Sequence, residues 1–250
     1  MNKRLILITG LGGSGTRLYG QILKSLGVFM GKSINVAEDN IMTVKIVEYY
    51  RKHYKKLESP AGYNGFKELF NDIITKSGYN NKEIFCIKSP PLMFCLEPII
   101  KFCEEEGYKL EVIHVIRDGK YMINGKTPYP GKIEQWGFKY ENKFKSKEYK
   151  LKKVEFWFWA NWDVFGIRNK NNTKFKMLVL GYDNMISNPD SEIQKILEFL
   201  EFKNVDLSKL NNFKTKLRSR GRVEKVDILK LPEYTQDLIR KMNKFAKIED

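Results

Sequence analysis

The chain has 250 residues, 42% of them hydrophobic and 30% charged, with a formal net charge of +15. This composition is typical of a globular domain with a sizeable core and excludes an intrinsically disordered chain. No apolar run reaches the roughly 20 residues of a membrane-spanning helix, so no transmembrane segment is expected. The positive charge favours an anionic partner. The lysines are scattered, as on a solvated surface, and no aromatic-basic motif predicts nucleic-acid binding.

The first predicted element is a buried β-strand at residues 5–9, a short segment that ends in glycines. The basic residues before it resemble the start of a signal peptide, but the apolar part is too short and no cleavage site follows. Residues 15–26 carry apolar side chains at helical spacing, and Gly27 is typical of a helix end. The sequence therefore predicts a glycine-rich loop between a strand and a helix.

Further strands are predicted at residues 84–88, 110–116 and 177–180, each followed by a polar or glycine-containing turn. Helices are predicted at residues 41–55, 66–76, 92–105, 149–168, 189–201 and 232–246. This alternation indicates an α/β, P-loop-like three-layer fold with a central parallel sheet flanked by helices. We expect one domain over residues 1–250, a surface loop at 125–147, and a ligand site at the C-terminal ends of the strands.

The loop at residues 9–17 is the part of the sequence most clearly suited to binding an anion. It has four glycines within six residues, so successive backbone N–H groups can surround an anion at the N-terminus of the following helix. A hydroxyl and a guanidinium at the helix start can add hydrogen bonds to a phosphate. The candidate anion-binding residues are Gly12, Gly13, Ser14, Gly15, Thr16 and Arg17.

Three other interpretations of this loop are open. A phosphate loop of an NTPase would require a lysine where this chain has Thr16 and Arg17. A dinucleotide fold would place an acid after a second strand, but Glu38 and Asp39 follow no convincing strand. A glycine-rich turn that only packs a helix against a strand would not require so many glycines.

Four segments, in chain order, carry a family resemblance. They are GLGGSGTRLYGQILKSLGVFMG, VIHVIRDGKYMI, GYDNMISNPDSEIQKILEFLEF and LRSRGRVEK. Together they resemble the sulfotransferase superfamily, specifically its bacterial-type members. The resemblance implies a donor, 3′-phosphoadenosine 5′-phosphosulfate (PAPS), and the product nucleotide 3′-phosphoadenosine 5′-phosphate (PAP). It also implies transfer of a sulfuryl group to a hydroxyl or amine of an unidentified acceptor.

The resemblance also assigns nucleotide-binding residues outside the first loop. Arg117 directly follows a strand, where a guanidinium can hold a phosphate with two hydrogen bonds, and by resemblance it binds the 3′-phosphate. Gly125 stands where the family usually has a serine for the same phosphate. The basic segment near the C-terminus resembles the loop that closes over the nucleotide; its candidate residues are Arg220, Gly221 and Arg222, with Arg218 a further cation.

The catalytic assignments depend on a departure from the family pattern. Most members have a lysine or arginine where this chain has Gly13, so the positive charge for the reaction must come from elsewhere. Lys88, in the sequence Lys-Ser-Pro, matches a Lys-x-Pro element of the family and is the candidate cation, with Arg17 the second choice. Glu38 or Asp39 occupies the region from which some members supply a general base.

We therefore expect a cytoplasmic PAPS-dependent sulfotransferase without a metal. A non-catalytic nucleotide-binding relative and a P-loop small-molecule kinase are the alternatives. His114 lies within a predicted strand and is interpreted as structural, as is Asp183. The three cysteines have no metal-ligand spacing and are interpreted as buried thiols. The acceptor can be a sugar, lipid, phenol, peptide or amine, because acceptor pockets are built from variable loops.

Overall fold

The computed structural model describes residues 3–80, 84–124, 131–203, 205–210 and 226–248. Within these ranges one four-stranded parallel sheet has the order β2-β1-β3-β4 and is flanked by helices. The strands are β1 (Lys3–Gly10), β2 (Phe85–Lys88), β3 (Tyr108–Ile116) and β4 (Lys176–Gly181). All four predicted strands are present, and the predicted α/β fold class is confirmed.

The register between β1 and β2 determines what lies at the C-terminal edge of the sheet. Ile8 of β1 pairs with Lys88 of β2 in parallel, and the Ser89 N–H donates to the Ile8 carbonyl at 3.1 Å. The central residues of β1 are fully buried, as expected for a parallel sheet covered on both faces. Lys88 therefore lies beside Ile8, near the C-terminal end of β1, which ends at Gly10.

The longer helices agree with the sequence predictions, with shifted ends. They are α1 (Thr16–Ser25), α2 (Thr43–His53), α3 (Pro60–Lys76), α4 (Leu96–Glu106), α7 (Tyr149–Lys170), α9 (Pro189–Phe199) and α10 (Glu233–Ala246). The largest shift is at α3, which starts six residues before the predicted residue 66. Ser59 caps it by accepting the Gly62 N–H at 3.3 Å, and Pro60 occupies the first turn, where no N–H is needed.

Three short helices were not predicted: α5 (Lys120–Asn124), α6 (Gly131–Trp136) and α8 (Tyr182–Ser187). The first part of the predicted loop at 125–147, residues 125–130, lies outside the described residues. The rest differs from the prediction, because α6 is followed by two 3₁₀ turns, Gly137–Lys139 and Glu141–Lys143. Trp136 and Tyr140 are both 1% exposed, so these two aromatic side chains lie in the interior.

The chain divides into two compact units. The first comprises Met1–Gly10, Thr16–His114 and Ile167–Leu178, and the second comprises Leu11–Gly15, Val115–Gly166 and Val179–Asp250. The single domain expected over residues 1–250 stays a prediction. Among the described residues, no helix combines the length and the apolar character needed to cross a membrane.

Candidate functional site

The glycine-rich loop joins β1 to α1 through backbone conformations that favour glycine. Gly13 and Gly15 have φ angles of +88° and +90°, and the Ser14 N–H donates to the Leu11 carbonyl at 3.0 Å, which closes a tight turn. Gly15 also lies directly against the Tyr182 ring, where a Cβ atom would overlap the ring carbons. The loop therefore needs glycine at position 15 both for its conformation and for close packing.

Arg117, the first residue after β3, contacts this loop within the second unit. Its Nη1 donates to the Gly13 carbonyl at 3.3 Å, and its guanidinium lies 4.6 Å from the Tyr121 ring centroid and 5.1 Å from that of Tyr182. These contacts hold the planar cation between two aromatic rings, where its remaining N–H groups keep a fixed direction. The structure thus brings together Gly13 and Arg117, two residues that the sequence assigns to the donor nucleotide.

Two polar atoms of this cluster are buried without a hydrogen-bond partner among the described residues. They are Oγ of Ser14, in a residue that is 3% exposed, and Nε of Arg117. A buried polar atom without a partner is unfavourable and calls for an explanation such as an absent ligand. A hydroxyl, a guanidinium and the loop N–H groups together have the chemistry needed to bind a phosphate or sulfate group.

A buried carboxylate network supports the Arg117 turn. The Asp118 N–H donates to Asp183 Oδ2 at 2.8 Å, and Asn243 Nδ2 of α10 donates to Asp118 Oδ1 at 2.9 Å. Burial raises the pKa of Asp183 above its ordinary value, and the hydrogen bond from Asp118 opposes part of this shift. Asp183 therefore braces the turn through the backbone, which agrees with its structural interpretation.

The three candidate catalytic residues, Lys88, Asp39 and Glu38, lie in the first unit. Lys88 contacts Asp39, and Lys88 and Glu38 both lie close to Gly20. Lys88 is 2% exposed, and its Nζ donates to Asp39 Oδ1 at 2.6 Å and to the Ala37 carbonyl at 2.8 Å. Burial lowers the pKa of Lys88 below its ordinary value, and the hydrogen bond to Asp39 opposes this effect. The predicted cation and one of the two predicted bases are thus an ion pair.

Glu38, the other candidate base, has a φ angle of +60°, which is uncommon for a residue with a side chain. Its carboxylate accepts from Lys24 Nζ at 3.3 Å. Gly20 lets the Glu38 and Lys88 side chains lie close to α1, because a Cβ atom at position 20 would lie 3.3 Å from Glu38 Cβ and 3.6 Å from Lys88 Cγ. The charge of Arg17 also acts on Lys88 and lowers its pKa further. Lys88, Asp39, Glu38 and Arg17 therefore form one electrostatic group.

The remaining predicted site residues lie partly within the described residues and partly outside them. Thr16 is buried and Arg17 is exposed at the start of α1. The predicted nucleotide-binding residues Gly125, Arg220, Gly221 and Arg222, and the further cation Arg218, lie outside the described residues.

The histidine and the cysteines that were interpreted as structural are buried. His114 is fully buried, with Nδ1 3.1 Å from Thr9 Oγ1, and the cysteines are buried free thiols. Within the part of the chain that the structure describes, no cluster of three or more histidine, cysteine or acidic side chains could hold a metal ion.

Sequence reasoning missed two residues that support these clusters. Asn35 accepts the N–H groups of Ala37 and Asp39, and Asn243 holds Asp118 from a helix far away in the chain. Asparagine side chains commonly hydrogen-bond the backbone two residues further on, so Asn35 carried a local signal. Asn243 carried none, because its contact is between distant segments.

Comparison with solved structures identifies the fold. The chain is similar to the sulfotransferase domain of the Synechococcus PCC 7002 olefin synthase (13% identity, 96% of this chain and 94% of that chain, TM-score 0.50). It is also similar to a sulfotransferase domain from the curacin biosynthetic pathway (9% identity, 100% and 99%, TM-score 0.50). A third similar structure is a sulfotransferase of Mycobacterium avium (11% identity, 100% and 78%, TM-score 0.52).

At the level of sequence, no family model and no curated protein matches the chain. The structural similarities concern the fold, which this chain shares with the three sulfotransferase structures. The chain has the sulfotransferase fold, with a glycine-rich loop after its first strand and an arginine after its third.

Proposed function

We propose that this protein is a PAPS-dependent sulfotransferase that moves a sulfuryl group to a hydroxyl or amine. The observation that carries the proposal is the contact between Arg117 and the glycine-rich loop, with Ser14 Oγ and Arg117 Nε left without partners among the described residues. Oxygens of phosphate or sulfate groups can accept from the Ser14 hydroxyl and from the Arg117 guanidinium. An apolar or cationic ligand would leave them unsatisfied.

On the donor side, the loop N–H groups, Thr16 and Arg17 bind the 5′-phosphosulfate in this proposal, and Arg117 binds the 3′-phosphate. Gly125, Arg220, Gly221 and Arg222 are proposed to complete the nucleotide site on the basis of sequence resemblance alone. Because Gly13 supplies no charge, Arg17 and Lys88 are the proposed sources of positive charge for the leaving phosphate oxygen.

On the catalytic side, Lys88 is the proposed cation and Glu38 or Asp39 the proposed base. An ammonium group has three N–H donors, and within the described residues two of them are used, by Asp39 and Ala37. We assign the third to an oxygen of the transferring group. The base takes the proton of the acceptor hydroxyl as that oxygen attacks sulfur in line with the departing phosphate.

The proposal is tested by measuring the binding of PAP and the turnover of PAPS. PAP should raise the melting temperature of the protein, and 3′-dephosphorylated adenosine 5′-phosphate should do so far less, because it lacks the group that Arg117 binds. Release of PAP from PAPS is then measured with sugars, lipids, phenols, peptides and amines as acceptors. If millimolar PAP gives neither binding nor stabilisation, the proposal is wrong.

A second candidate is a non-catalytic nucleotide-binding relative, which the engagement of Lys88 by Asp39 favours. It predicts PAP binding equal to that of an enzyme, with no PAPS turnover on any acceptor class. A small-molecule kinase would instead bind ATP with Mg²⁺, although the loop lacks the lysine that such enzymes use. A cytoplasmic location is part of our proposal, because three free thiols suit a reducing compartment.

A further inference from the structure

The segment before Asp39 forms a tight turn whose hydrogen bonds converge on one side chain. Asn35 Oδ1 accepts the N–H groups of Ala37 at 2.8 Å and Asp39 at 3.0 Å. The backbone of Asn35 adds two further bonds, from its N–H to the Asp39 carbonyl at 3.0 Å and from the Glu38 N–H to its carbonyl at 2.9 Å. We call residues 35–39 the 35–39 turn.

Two residues of this turn supply the acceptors for the Lys88 ammonium group. Lys88 Nζ donates to the Ala37 carbonyl and to the Asp39 carboxylate, and these are the residues whose N–H groups Asn35 holds. The Asn40 N–H, directly after the turn, donates to the Lys88 carbonyl at 2.9 Å. The turn is therefore attached to Lys88 through both its main chain and its side chain.

The same turn fixes the unusual backbone of Glu38. A residue with a side chain and a φ angle of +60° keeps this conformation only where surrounding bonds determine it. Here those bonds come from Asn35 on one side and the Asp39 backbone on the other. A turn that served only to connect α1 with α2 would not require this strain next to a buried lysine.

We infer that Asn35 is a positioning residue, which sets the place of the Lys88 ammonium group and of the Glu38 carboxylate by holding the 35–39 turn. This inference rests on the proposed function for its catalytic consequence, but the placement of the amine can be tested without it. Asn35 is exposed, so removing its amide leaves no buried cavity.

The experiment compares Asn35→Ala with Asn35→Asp, whose carboxylate can accept the same two N–H groups. Reaction of the native protein with acetic anhydride, followed by peptide mass spectrometry, gives the acetylation rate of Lys88. Asn35→Ala should raise that rate about fivefold or more, because the turn opens and the amine becomes accessible. Asn35→Asp should stay within about twofold of the wild type, because it keeps the side-chain turn.

A matched control is Ser59→Ala, which removes a capping side chain from the same unit at the exposed start of α3. It should leave the acetylation of Lys88 unchanged, even where it lowers the melting temperature. If Asn35→Ala does not fold, Asn35→Gln displaces the acceptor oxygen by one methylene group and serves the same measurement. A wild-type acetylation rate in a folded Asn35→Ala or Asn35→Gln variant overturns the inference. An Asn35→Asp variant whose Lys88 is acetylated as fast as in Asn35→Ala also overturns it.

The effect of Asn35 on catalysis is measured separately, from kcat and from the Kd for PAP. In an active wild-type enzyme, Asn35→Ala should lower kcat for PAPS turnover by about tenfold or more while leaving the Kd for PAP unchanged, since Asn35 acts through groups that stabilise the transition state. An unchanged kcat overturns this part of the inference. If the wild type binds no PAP and turns over no PAPS, the proposed function fails, whereas the acetylation result still decides whether Asn35 positions Lys88.

Discussion

Nζ of Lys88 lies 2.6 Å from Oδ1 of Asp39, so two residues that the sequence assigns to different catalytic roles form a single ion pair. Lys88 is almost fully buried, whereas the Asp39 side chain is 25% exposed. The Asp39 carboxylate is therefore already engaged by the Lys88 ammonium group. Of the two candidate bases, Glu38 has the looser partner, the half-exposed Lys24 at 3.3 Å.

Replacing Lys88 by alanine should abolish most of the turnover of PAPS. If the ammonium group stabilises the leaving phosphate, its loss should lower kcat by about 100-fold or more, with little change in PAP affinity. Initial rates of PAP release and calorimetric titration with PAP measure the two quantities. Lys76→Ala, which removes a lysine from a surface ion pair with Asp72, is the control and should keep both values. Unchanged kcat in Lys88→Ala would show that the cation lies elsewhere.

Glu38→Gln separates the two candidate bases. Glutamine keeps the length of the side chain but cannot take a proton at neutral pH, so kcat should fall while PAP binding stays the same. Asp39→Asn is the partner variant, and its main effect should be on Lys88, whose ion pair it removes. Initial rates of acceptor turnover distinguish them: kcat should fall more in Glu38→Gln than in Asp39→Asn. The opposite pattern would assign the base to Asp39.

Arg117→Lys tests whether the donor site needs a planar cation. A lysine keeps the charge but cannot make two parallel hydrogen bonds or stack between Tyr121 and Tyr182, so PAP affinity should fall by about tenfold or more. Arg168→Lys makes the same exchange at an exposed arginine at the end of α7 and is the matched control, which should leave PAP affinity unchanged. Titration calorimetry at constant ionic strength gives both affinities. Wild-type PAP affinity in Arg117→Lys would mean that Arg117 contributes only its charge.

Three glycine-to-alanine variants separate steric overlap from backbone strain. Gly15 combines a positive φ with overlap on the Tyr182 ring, Gly27 has a positive φ of +85° and open space, and Gly166 is helical with open space. Melting temperature should fall most for Gly15→Ala, less for Gly27→Ala, and rise slightly for Gly166→Ala, where alanine favours the helix by roughly 1 kcal/mol. A Gly15→Ala protein as stable as Gly27→Ala would contradict the close packing of the loop.

The half-buried Asp183 makes stability depend on pH. Its pKa is raised in the folded protein, mainly by burial, so folding favours the protonated acid, and this contribution is present below the pKa of the unfolded chain. It is lost as the pH rises through the folded pKa. Asp183→Asn keeps an oxygen to accept the Asp118 N–H without the charge, so it should melt higher than the wild type at pH 7. Thermal unfolding at several pH values should show this difference shrinking in acid, and a constant difference would contradict the raised pKa.

The strands and the helix that carry the candidate site could be predicted from local sequence patterns. The strand before the glycine-rich loop, the helix after it and the strands before Lys88 and Arg117 follow from apolar periodicity and turn residues, which are local properties of the chain. Local signals also missed some boundaries. The predicted helix at 92–105 instead begins as a 3₁₀ turn (Pro90–Cys95), because Pro98 has no N–H to donate one turn back.

The pairing of the functional side chains could not be predicted in this way, because it joins distant segments of the chain. The bond of Lys88 to Asp39 links residues 49 positions apart, and that of Asn243 to Asp118 links residues 125 apart. Such pairs depend on strand register and on how loops approach the sheet edge, and neither is encoded in a window of neighbouring residues. The sequence thus gave Lys88 a position at a strand end, and the fold alone determined that its charge is held by the 35–39 turn.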